Sequence, residues 1–430
     1  MNDQTVEGIA KAAQQAALKM ARLSSTQKNQ VLESMACSIE NHIPAILEAN
    51  EKDLDWARQE NIEAPLISRL ELSEGKIRGM AQGIRSVAAL PDPVGLKLNA
   101  MELDEGLILT RLTCPIGVIA AIFESRPDAV PQIASLGFKS GNAVILKGGR
   151  EAQNSNKIIG SLLQQAIRSV SDMPEDAVQL IETRSEVEEL LKQDACINLI
   201  VPRGSNDFVR YIQENTKIPV LGHSEGICHA FIDSEADDSK AIEIVLDSKL
   251  QYPAACNAIE NLLIHSSKAE SLLPELVTRF KEKGVELVGC ERAQKAGIAA
   301  CRPEDWDTEY TGLKLSIKVV DSLDDAIDFI NCHGSGHTDV IITENESSAE
   351  KFMEKVDSAS VMWNASTRFA DGFRYGLGAE IGISTNKTHA RGPVGLEGLI
   401  IYKYQLRGKG QTVAQYSGEN ARSFTHRPIE

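Results

Sequence analysis

The chain has 430 residues, 42% of them hydrophobic and 25% charged, which is typical of a globular protein and excludes a largely disordered one. Its length allows two or three domains of ~100–200 residues each. With 45 basic and 61 acidic side chains the formal net charge is −16, which disfavours nonspecific binding to nucleic acid or to an anionic membrane.

Helical periodicity dominates the first hundred residues. Apolar side chains recur three and four positions apart through residues 9–21 and 31–45, which predicts amphipathic helices that serve packing. Residues 1–24 lack the continuous apolar core and the cleavage site of a secretory signal. The longest apolar run, residues 114–123, is far shorter than the ~20 residues needed to cross a bilayer. We therefore expect a cytoplasmic protein.

Beyond residue 100 the pattern changes to short strands. Residues 107–112 have the character of a hairpin strand. Four apolar runs then alternate with helical segments and predict strands at residues 117–123, 143–147, 178–181 and 197–201, with helices beginning near residues 128, 151, 185 and 204. Buried strands joined by helical crossovers form a parallel sheet, whose ligand site is expected at the carboxyl ends of the strands.

A second alternating set predicts another α/β domain. Its strands are expected at residues 227–232, 261–265, 285–288, 315–320 and 339–343. Residues 218–226, between the two sets, are rich in turn formers and are suited to a hinge. The extended pattern returns at residues 396–407, which we expect to pair with residues 107–112 or with another subunit. The predicted fold class is α/β with two domains.

The tetrapeptide Lys147-Gly148-Gly149-Arg150 ends a predicted strand and opens a helix. Free backbone N–H groups and two cations at such a turn suit a phosphorylated ligand. The spacing matches neither a Walker loop nor the three-glycine dinucleotide fingerprint. From spacing alone, phosphate binding and a plain helix cap are about equally favoured.

Cys256 follows a Pro-Ala-Ala turn and precedes a predicted short helix. The N-terminus of a helix favours the thiolate, which suits a nucleophile. The eight cysteines stand at least 11 residues apart, so no close pair suggests a zinc clamp or a redox dithiol. From composition alone, a small buried hydrophobe is the better interpretation of any one of them.

Two polar loops near the carboxyl end each present an arginine. Residues 364–372 carry Arg368 and residues 388–395 carry Arg391. A guanidinium group matches a carboxylate or a phosphate, but a surface ion pair is the more favoured interpretation of either loop taken alone. Residues 334–338 predict only a tight turn. The eight histidines show no metal-binding spacing, so no metal is expected.

Three long stretches, taken together with these motifs, resemble the aldehyde dehydrogenase superfamily and, within it, the glutamate-5-semialdehyde dehydrogenase family. They are residues 115–149, which include Phe123-Glu-Ser-Arg-Pro-Asp128, residues 252–260 and residues 363–398. The resemblance covers nearly the whole chain. It implies an aldehyde-dehydrogenase-like fold with a Rossmann-like cofactor domain at residues 1–225, a catalytic domain at 226–392, and a C-terminal return at 393–430 that serves oligomerisation with a hairpin near 101–114.

The resemblance implies NADPH-dependent reduction of gamma-glutamyl phosphate to glutamate 5-semialdehyde and phosphate, in proline biosynthesis. Cys256 matches the family nucleophile, whose thiolate expels phosphate and leaves a thioester that accepts hydride. The backbone N–H of Cys256 is then an expected stabiliser of the oxyanion. The implied partners are this small-molecule substrate, a separate glutamate 5-kinase coupled in function, and further copies of the chain in a homo-oligomer.

The resemblance also implies cofactor-binding residues. Lys147, with Gly148 beside it, matches the lysine that contacts the cofactor ribose, and Glu309 matches the glutamate on the nicotinamide ribose. Arg150 falls where NAD-preferring relatives carry a glutamate, and a cation there favours the 2′-phosphate of NADP(H). The turn Gly204-Ser205 corresponds to a Gly-Ser turn near the pyrophosphate.

The chain departs from the hydrolytic members of the superfamily at residues 220–226. Those members resemble one another in a Glu-Leu-Gly-Gly-Lys loop whose glutamate activates water, and the matching glutamate is absent here. An enzyme that exchanges its thioester with phosphate would lose intermediate to activated water, so the omission supports an acyl-phosphate reaction. Glu225 lies close enough that a shifted alignment would restore a base, and that alternative stays open.

A second departure concerns the substrate. Arg126 falls at or beside the oxyanion-binding asparagine of general aldehyde dehydrogenases, and either phosphate or the oxyanion suits it. Charge matching favours Arg368 for the substrate carboxylate and Glu124 for its ammonium group, and Asn257 is assigned to the substrate beside the nucleophile.

Three functions compete at this point. The acyl-phosphate reductase leads. The runner-up is a hydrolytic NAD(P)-dependent aldehyde dehydrogenase acting on another small aldehyde, with Glu225 as its base. A non-catalytic member that keeps the fold for binding or assembly is disfavoured, because nucleophile, cofactor lysine and ribose glutamate are retained together.

Overall fold

The computed structural model describes residues 5–62, 64–222 and 225–429. The chain divides into two compact units. Unit 1 comprises Met1–Leu221, Leu377–Gly382 and Val394–Glu430, and unit 2 comprises Gly222–Gly376 and Ile383–Pro393. The first boundary falls inside the predicted hinge, residues 218–226, of which His223 and Ser224 lie outside the described residues.

The helices, in chain order, are α1 (Val6–Met20), α2 (Ser25–Asn41), α3 (Ile43–Gln59), α4 (Ala64–Leu70), α5 (Glu74–Ala89), α6 (Ala129–Lys139), α7 (Gln153–Arg168), α8 (Arg184–Leu190), α9 (Asn206–Glu214), α10 (Asp238–Leu250), α11 (Ser266–Glu282), α12 (Glu291–Gln294), α13 (Leu323–His333) and α14 (Glu346–Lys355). The strands are β1 (Lys97–Asp104), β2 (Leu107–Pro115), β3 (Val118–Phe123), β4 (Ala143–Lys147), β5 (Val178–Ile181), β6 (Leu199–Arg203), β7 (Cys228–Ile232), β8 (Ile259–His265), β9 (Glu286–Gly289), β10 (Ala299–Ala300), β11 (Lys314–Val320), β12 (Thr338–Ile342), β13 (Ser360–Trp363), β14 (Ile383–Ser384), β15 (Gly392–Pro393), β16 (Ile400–Arg407) and β17 (Arg427–Ile429).

Unit 1 begins with helices that bury one apolar face each, as the periodicity predicts. α2 starts with a capping box in which Ser24 and Gln27 satisfy each other's backbone N–H groups. The helical periodicity of residues 31–45 continues across two helices, because α2 ends at Asn41 and Pro44 lies in the first turn of α3. Proline lacks an N–H group and is best tolerated in the first turn of a helix. Among the described residues, no helix is both long and apolar enough to cross a bilayer.

The cofactor-type sheet of unit 1 is parallel, with strand order β5-β4-β3-β6, which confirms the predicted topology. β6 begins at Leu199, two residues later than predicted, and continues to Arg203. Ile122 pairs with Lys147 in β4, and Phe123 pairs with Arg203 in β6. The carboxyl ends of β3, β4 and β6 therefore lie at the same edge of the sheet, which is where such sheets bind ligands.

A separate antiparallel sheet in unit 1 has the order β16-β2-β1-β17. β16 pairs with β2 from Ile400 opposite Pro115 to Arg407 opposite Ile108. This confirms the pairing of the C-terminal tail with residues 107–112. β16 is an edge strand, and it exposes Ile401, Tyr402, Tyr404 and Leu406.

Unit 2 is built on a parallel sheet with the order β10-β9-β11-β8-β7-β12-β13. One core cluster includes Leu262 and Ile317, and another includes Phe231 and Leu263, so neighbouring residues of β8 are both buried. A sheet covered on both faces has nearly continuous apolar strands, which is why the sequence predicts these strands well. β8 lies at the centre of the sheet and receives the chain directly from the loop that contains Cys256.

Candidate active site

Cys256 lies in unit 2, in the loop between α10 and β8, at the amino end of that strand. Two turns shape the loop, with N–H to O distances of 3.1 Å from Ala255 to Tyr252 and 2.9 Å from Ala258 to Ala255. The predicted short helix after Cys256 is wrong, because β8 begins at Ile259 and leaves no room for a helical turn. The helix N-terminus expected to favour the thiolate is therefore not present beside this half-buried thiol.

The backbone of Cys256 is held by two residues at the start of β7. A Cβ atom on Gly226 would overlap the Cys256 carbonyl oxygen and lie 2.8 Å from its Cα and Cβ, so only glycine fits at that position. The Cys228 thiol donates to the same carbonyl oxygen at 3.2 Å. Burial raises the pKa of Cys228 well above its ordinary value, with a further rise from Asp339, so this thiol keeps its proton and remains a donor.

A buried ion pair joins the two ends of the Cys256 loop. Lys249, in the last turn of α10, lies 2.5 Å from Glu260 in β8. Burial raises the pKa of Glu260 to about 7, while Lys249 opposes the rise. The second carboxylate oxygen of Glu260 accepts the Thr311 N–H at 3.3 Å, which ties the segment containing Glu309 to the same strand.

Arg368 is fastened to the Cys256 loop, although the two are more than 100 residues apart in sequence. Its Nε donates to Gln251 Oε1 at 2.9 Å, and its guanidinium lies 5.9 Å from the centroid of the Tyr252 ring. Asn257 Nδ2 donates to the Ala370 carbonyl at 2.8 Å. Burial lowers the pKa of Arg368, which nonetheless remains charged at neutral pH. The structure thus brings Arg368 and Asn257 together at the Cys256 loop.

The sequence offered no signal for two residues in unit 2. Arg374 donates to the Arg368 carbonyl at 2.7 Å and adds a second cation there. His337, in the predicted tight turn, is fully buried and lies 3.7 Å from the Cys228 thiol. By contrast, Arg391 is paired with Asp357, at 2.9 Å from both its carboxylate and its carbonyl oxygen, which is the ion-pair interpretation of that loop.

The cofactor residues of the sequence analysis, apart from Glu309, lie in unit 1. Lys147 ends β4, and a Cβ atom on Gly148 would overlap the side-chain amide of the buried Asn156. Only glycine therefore fits at position 148, and both glycines of the turn are buried. Burial lowers the pKa of Lys147, which Glu151 and Glu124 oppose.

Glu124 directly follows β3 and lies beside the start of α9. Its carboxylate accepts the Ser205 N–H at 3.2 Å, at the start of α9, and a Cβ atom on Gly204 would lie 2.8 Å from it. Burial raises the pKa of Glu124, with a further rise from Glu151. The structure thus groups Glu124 with Lys147, Gly204 and Ser205, where the N–H groups of a helix end suit an anion.

Arg126 and Arg150 are two further cationic side chains of unit 1, in turns that follow β3 and β4. Arg126 lies in the turn between β3 and α6, and Arg150 begins the short 3₁₀ turn that precedes α7. Arg150 lies over the ring of Trp56, 5.3 Å from its centroid. Within residues 5–62, 64–222 and 225–429, neither guanidinium forms a hydrogen bond or ion pair. No sequence pattern points to Trp56.

The sequence is similar to known enzymes over nearly its whole length. The pattern of the aldehyde dehydrogenase family matches residues 1–288. The chain is 52% identical to gamma-glutamyl phosphate reductase of Methanosarcina mazei, over 97% of this chain and 96% of that protein. It is 51% identical to gamma-glutamyl phosphate reductase of Acetivibrio thermocellus, over 98% of both chains.

The structure is similar to solved structures as well. The crystal structure of gamma-glutamyl phosphate reductase from Thermotoga maritima superposes with a TM-score of 0.92, at 38% identity, over 95% of this chain and 100% of that chain. An acetylating aldehyde dehydrogenase from Geobacillus thermoglucosidasius has a TM-score of 0.67 at 16% identity and shares the fold.

Proposed function

The chain belongs to the aldehyde dehydrogenase family, and we propose that it is an oxidoreductase that reduces gamma-glutamyl phosphate in proline biosynthesis. The observation that carries the proposal is 52% identity, over nearly the full length, to enzymes named for that reaction. The resemblance found in the sequence is confirmed by these relatives, and the predicted α/β fold is confirmed by the superposition with a TM-score of 0.92. Nothing in the comparisons favours the hydrolytic alternative.

We propose NADP(H) as the nicotinamide cofactor. Lys147 at the end of β4 would hold a ribose, and Gly204-Ser205 at the start of α9 would lie near the pyrophosphate. The family resemblance assigns Glu309 to the nicotinamide ribose. Arg150, exposed and bonded to no carboxylate among the described residues, would take the 2′-phosphate. When bound, the reduced nicotinamide supplies the hydride.

The chemistry proposed for Cys256 begins with attack of its thiolate on the γ-carbonyl carbon of the acyl phosphate. The carbon–oxygen bond to phosphate breaks, phosphate departs with the electron pair, and a thioester remains. After hydride addition and uptake of one proton, the thiohemiacetal loses its hydroxyl proton, the carbon–sulfur bond breaks, and aldehyde and thiolate are released. The backbone N–H of Cys256 would stabilise the oxyanions, since Cys228 and Gly226 hold that backbone in place.

Substrate recognition is proposed for Arg368, Asn257 and Arg126. The fixed guanidinium of Arg368 suits the α-carboxylate, and Arg374 adds positive charge beside it. Asn257 Oδ1 is buried and receives no hydrogen bond from a described residue, so an ammonium donor of the substrate suits it. Arg126 is proposed for phosphate or the oxyanion. Glu124 as the ammonium partner is less well supported, because its carboxylate contacts Ser205.

The oligomeric state, the kinase partner and the cellular location are proposals. The exposed aromatic and aliphatic side chains of the edge strand β16 support a homo-oligomer, because such an edge is usually covered by another strand or chain. An acyl phosphate is made by a kinase, which supports coupling to a separate glutamate 5-kinase. The cytoplasmic location stays a prediction.

The test uses the reverse reaction. Purified enzyme is mixed with glutamate 5-semialdehyde and NADP, and NADPH formation is followed with and without inorganic phosphate. The proposal predicts formation of NADPH only with phosphate, because phosphate is the acceptor that releases the thioester. Equal rates without phosphate would instead support the hydrolytic alternative.

A further inference from the structure

Trp56 of α3 and Arg150 of the cofactor turn form a cation–π pair, with the guanidinium carbon 5.3 Å from the ring centroid. We propose that Trp56 is a specificity-determining residue, which holds Arg150 so that the enzyme distinguishes a cofactor with a 2′-phosphate from one without it. The inference rests on the proposed assignment of Arg150 to the 2′-phosphate. It adds a residue from the N-terminal helices to cofactor selection.

The position of Trp56 relative to the turn is fixed by the rest of α3. Asp53, one turn earlier and buried, accepts the backbone N–H groups of Asn154 at 2.9 Å and of Ser155 at 2.8 Å. It thereby caps the start of α7 from another helix. Trp56 packs against the apolar cluster that contains Ala152, two residues after Arg150. The ring of Trp56 and the turn of Arg150 therefore pack against the same apolar cluster.

Two glutamates of this region, Glu151 and Glu182, form hydrogen bonds or ion pairs with groups other than Arg150. Glu151 accepts both the N–H group and the hydroxyl of Ser125, at 2.5 and 2.8 Å. Glu182 pairs with Lys157 at 3.2 Å and accepts a hydrogen bond from Gln153. Among the described residues, no carboxylate competes for the guanidinium of Arg150, so its charge is available to a ligand.

An aromatic ring differs from a carboxylate in how it orients an arginine. The ring attracts the face of the guanidinium through its quadrupole and leaves the N–H groups at the edge unused. A carboxylate would take two of those donors. A phosphate is bound through the same N–H groups at the edge of the guanidinium. Stacking on tryptophan therefore leaves these donors available and reduces the side-chain entropy that Arg150 loses when a phosphate binds.

The test measures binding of two probes without turnover. The probes are adenosine 2′,5′-bisphosphate and adenosine 5′-monophosphate, titrated calorimetrically into the full-length enzyme, and the readout is the ratio of their dissociation constants. Trp56→Leu keeps apolar bulk but removes the quadrupole, so this ratio is expected to fall about two- to fivefold. Affinity for the monophosphate should be unchanged, because no contact to it is proposed.

Graded substitutions of Trp56 and a double-mutant cycle with Arg150 distinguish a loss of specificity from a folding defect. Trp56→Tyr and Trp56→Phe should give intermediate losses, tyrosine the smaller, and thermal unfolding verifies that each variant folds. In an Arg150→Gln background, Trp56→Leu should have no further effect on the ratio. Tyr416→Leu, which removes the Arg422–Tyr416 cation–π pair at 5.7 Å, is the matched control and should leave the ratio unchanged.

The outcomes separate this inference from the cofactor proposal. If the wild-type enzyme does not prefer the bisphosphate, the NADP(H) assignment itself fails. If the wild type prefers it, but Trp56→Leu keeps that preference or weakens both probes equally, the cofactor proposal stands and the role of Trp56 is refuted. Persistence of the Trp56→Leu effect in the Arg150→Gln background would also refute it.

Discussion

Lys249 Nζ and Glu260 Oε2 lie 2.5 Å apart, and both side chains are almost completely buried. The two residues flank the loop that carries Cys256, one at the end of α10 and one in β8. Glu260 also accepts the Thr311 N–H at 3.3 Å. The pair therefore joins the two ends of the Cys256 loop and connects them to the segment of Glu309.

Breaking this pair on one side should destabilise the protein strongly. Lys249→Met leaves the Glu260 carboxylate buried without its cation, and we expect a loss of about 3–5 kcal/mol in the free energy of unfolding. Replacing both residues, as Lys249→Met with Glu260→Leu, should cost less than the single change, because no charge remains buried. Urea unfolding measures both.

An exposed ion pair in the same unit provides the control. Lys240 and Glu344 lie 2.9 Å apart but are about half exposed, so Lys240→Met should cost less than about 1 kcal/mol. If Lys249→Met lowered the free energy of unfolding no more than Lys240→Met does, the buried pair would not stabilise the Cys256 loop.

Cys256→Ser should abolish turnover and leave cofactor binding intact. The hydroxyl is a much weaker nucleophile than the thiolate, whereas the proposed cofactor contacts other than that of Glu309 lie in unit 1. We expect no thioester by mass spectrometry of enzyme quenched during turnover, with an unchanged dissociation constant for NADPH. Cys332→Ser alters an exposed cysteine and should keep full activity. A trapped acyl group on Cys256→Ser enzyme at another side chain would overturn the assignment.

The sequence predicts the sheets of both units because their strands are apolar on both faces and separated by helices. It also places Lys147 at a strand end, since that edge follows from parallel topology. It could not place Arg368 beside Cys256, because that proximity depends on hydrogen bonds between loops remote in sequence. The sequence also contains no indication of the Trp56–Arg150 pair, because it joins a helix and a turn that are remote in sequence. The helix predicted after Cys256 is wrong because β8 already begins at Ile259.

Glu124→Gln should strengthen cofactor binding at neutral pH. In the wild type, an ionised carboxylate beside the Ser205 N–H would repel the phosphates of a cofactor bound as proposed, whereas a glutamine can still accept that hydrogen bond. The pKa of Glu124 is raised, chiefly by burial, so lowering the pH protonates it and removes the repulsion. Wild-type affinity for NADPH should therefore rise as the pH falls from about 8 to about 5, and that of Glu124→Gln should rise less.

The same variant tests the alternative role of Glu124. If Glu124 binds the substrate ammonium group, Glu124→Gln should raise the KM for glutamate 5-semialdehyde and leave NADPH affinity unchanged. Glu175→Gln, on a 3₁₀ turn of the same unit, controls for the loss of one negative charge. Parallel pH profiles of NADPH affinity for wild type and Glu124→Gln would contradict the repulsion argument.

Arg150→Glu should shift preference from NADP toward NAD. The change would remove the proposed charge-assisted contact to the 2′-phosphate and add repulsion, so the ratio of NADP to NAD affinity should fall by at least about tenfold. Arg150→Gln removes the contact without the repulsion and should give a smaller fall. Fluorescence titration with both cofactors measures the ratio. An unchanged ratio would show that another residue discriminates between them.

Glu225→Gln separates reduction of an acyl phosphate from hydrolysis. Glu225 is half-buried and directly precedes Gly226, which packs against the Cys256 backbone. It lies in residues 220–226, the segment that corresponds to the loop with the water-activating glutamate in hydrolytic members. If the thioester is released by phosphate, no base is needed to activate water, and the variant should keep the phosphate-dependent rate within about twofold. If it is released by water, loss of the base should lower the phosphate-independent rate by about 10²–10⁴-fold. NADPH formation from glutamate 5-semialdehyde, measured with and without phosphate, distinguishes these outcomes because the two routes use different acceptors for the same acyl group.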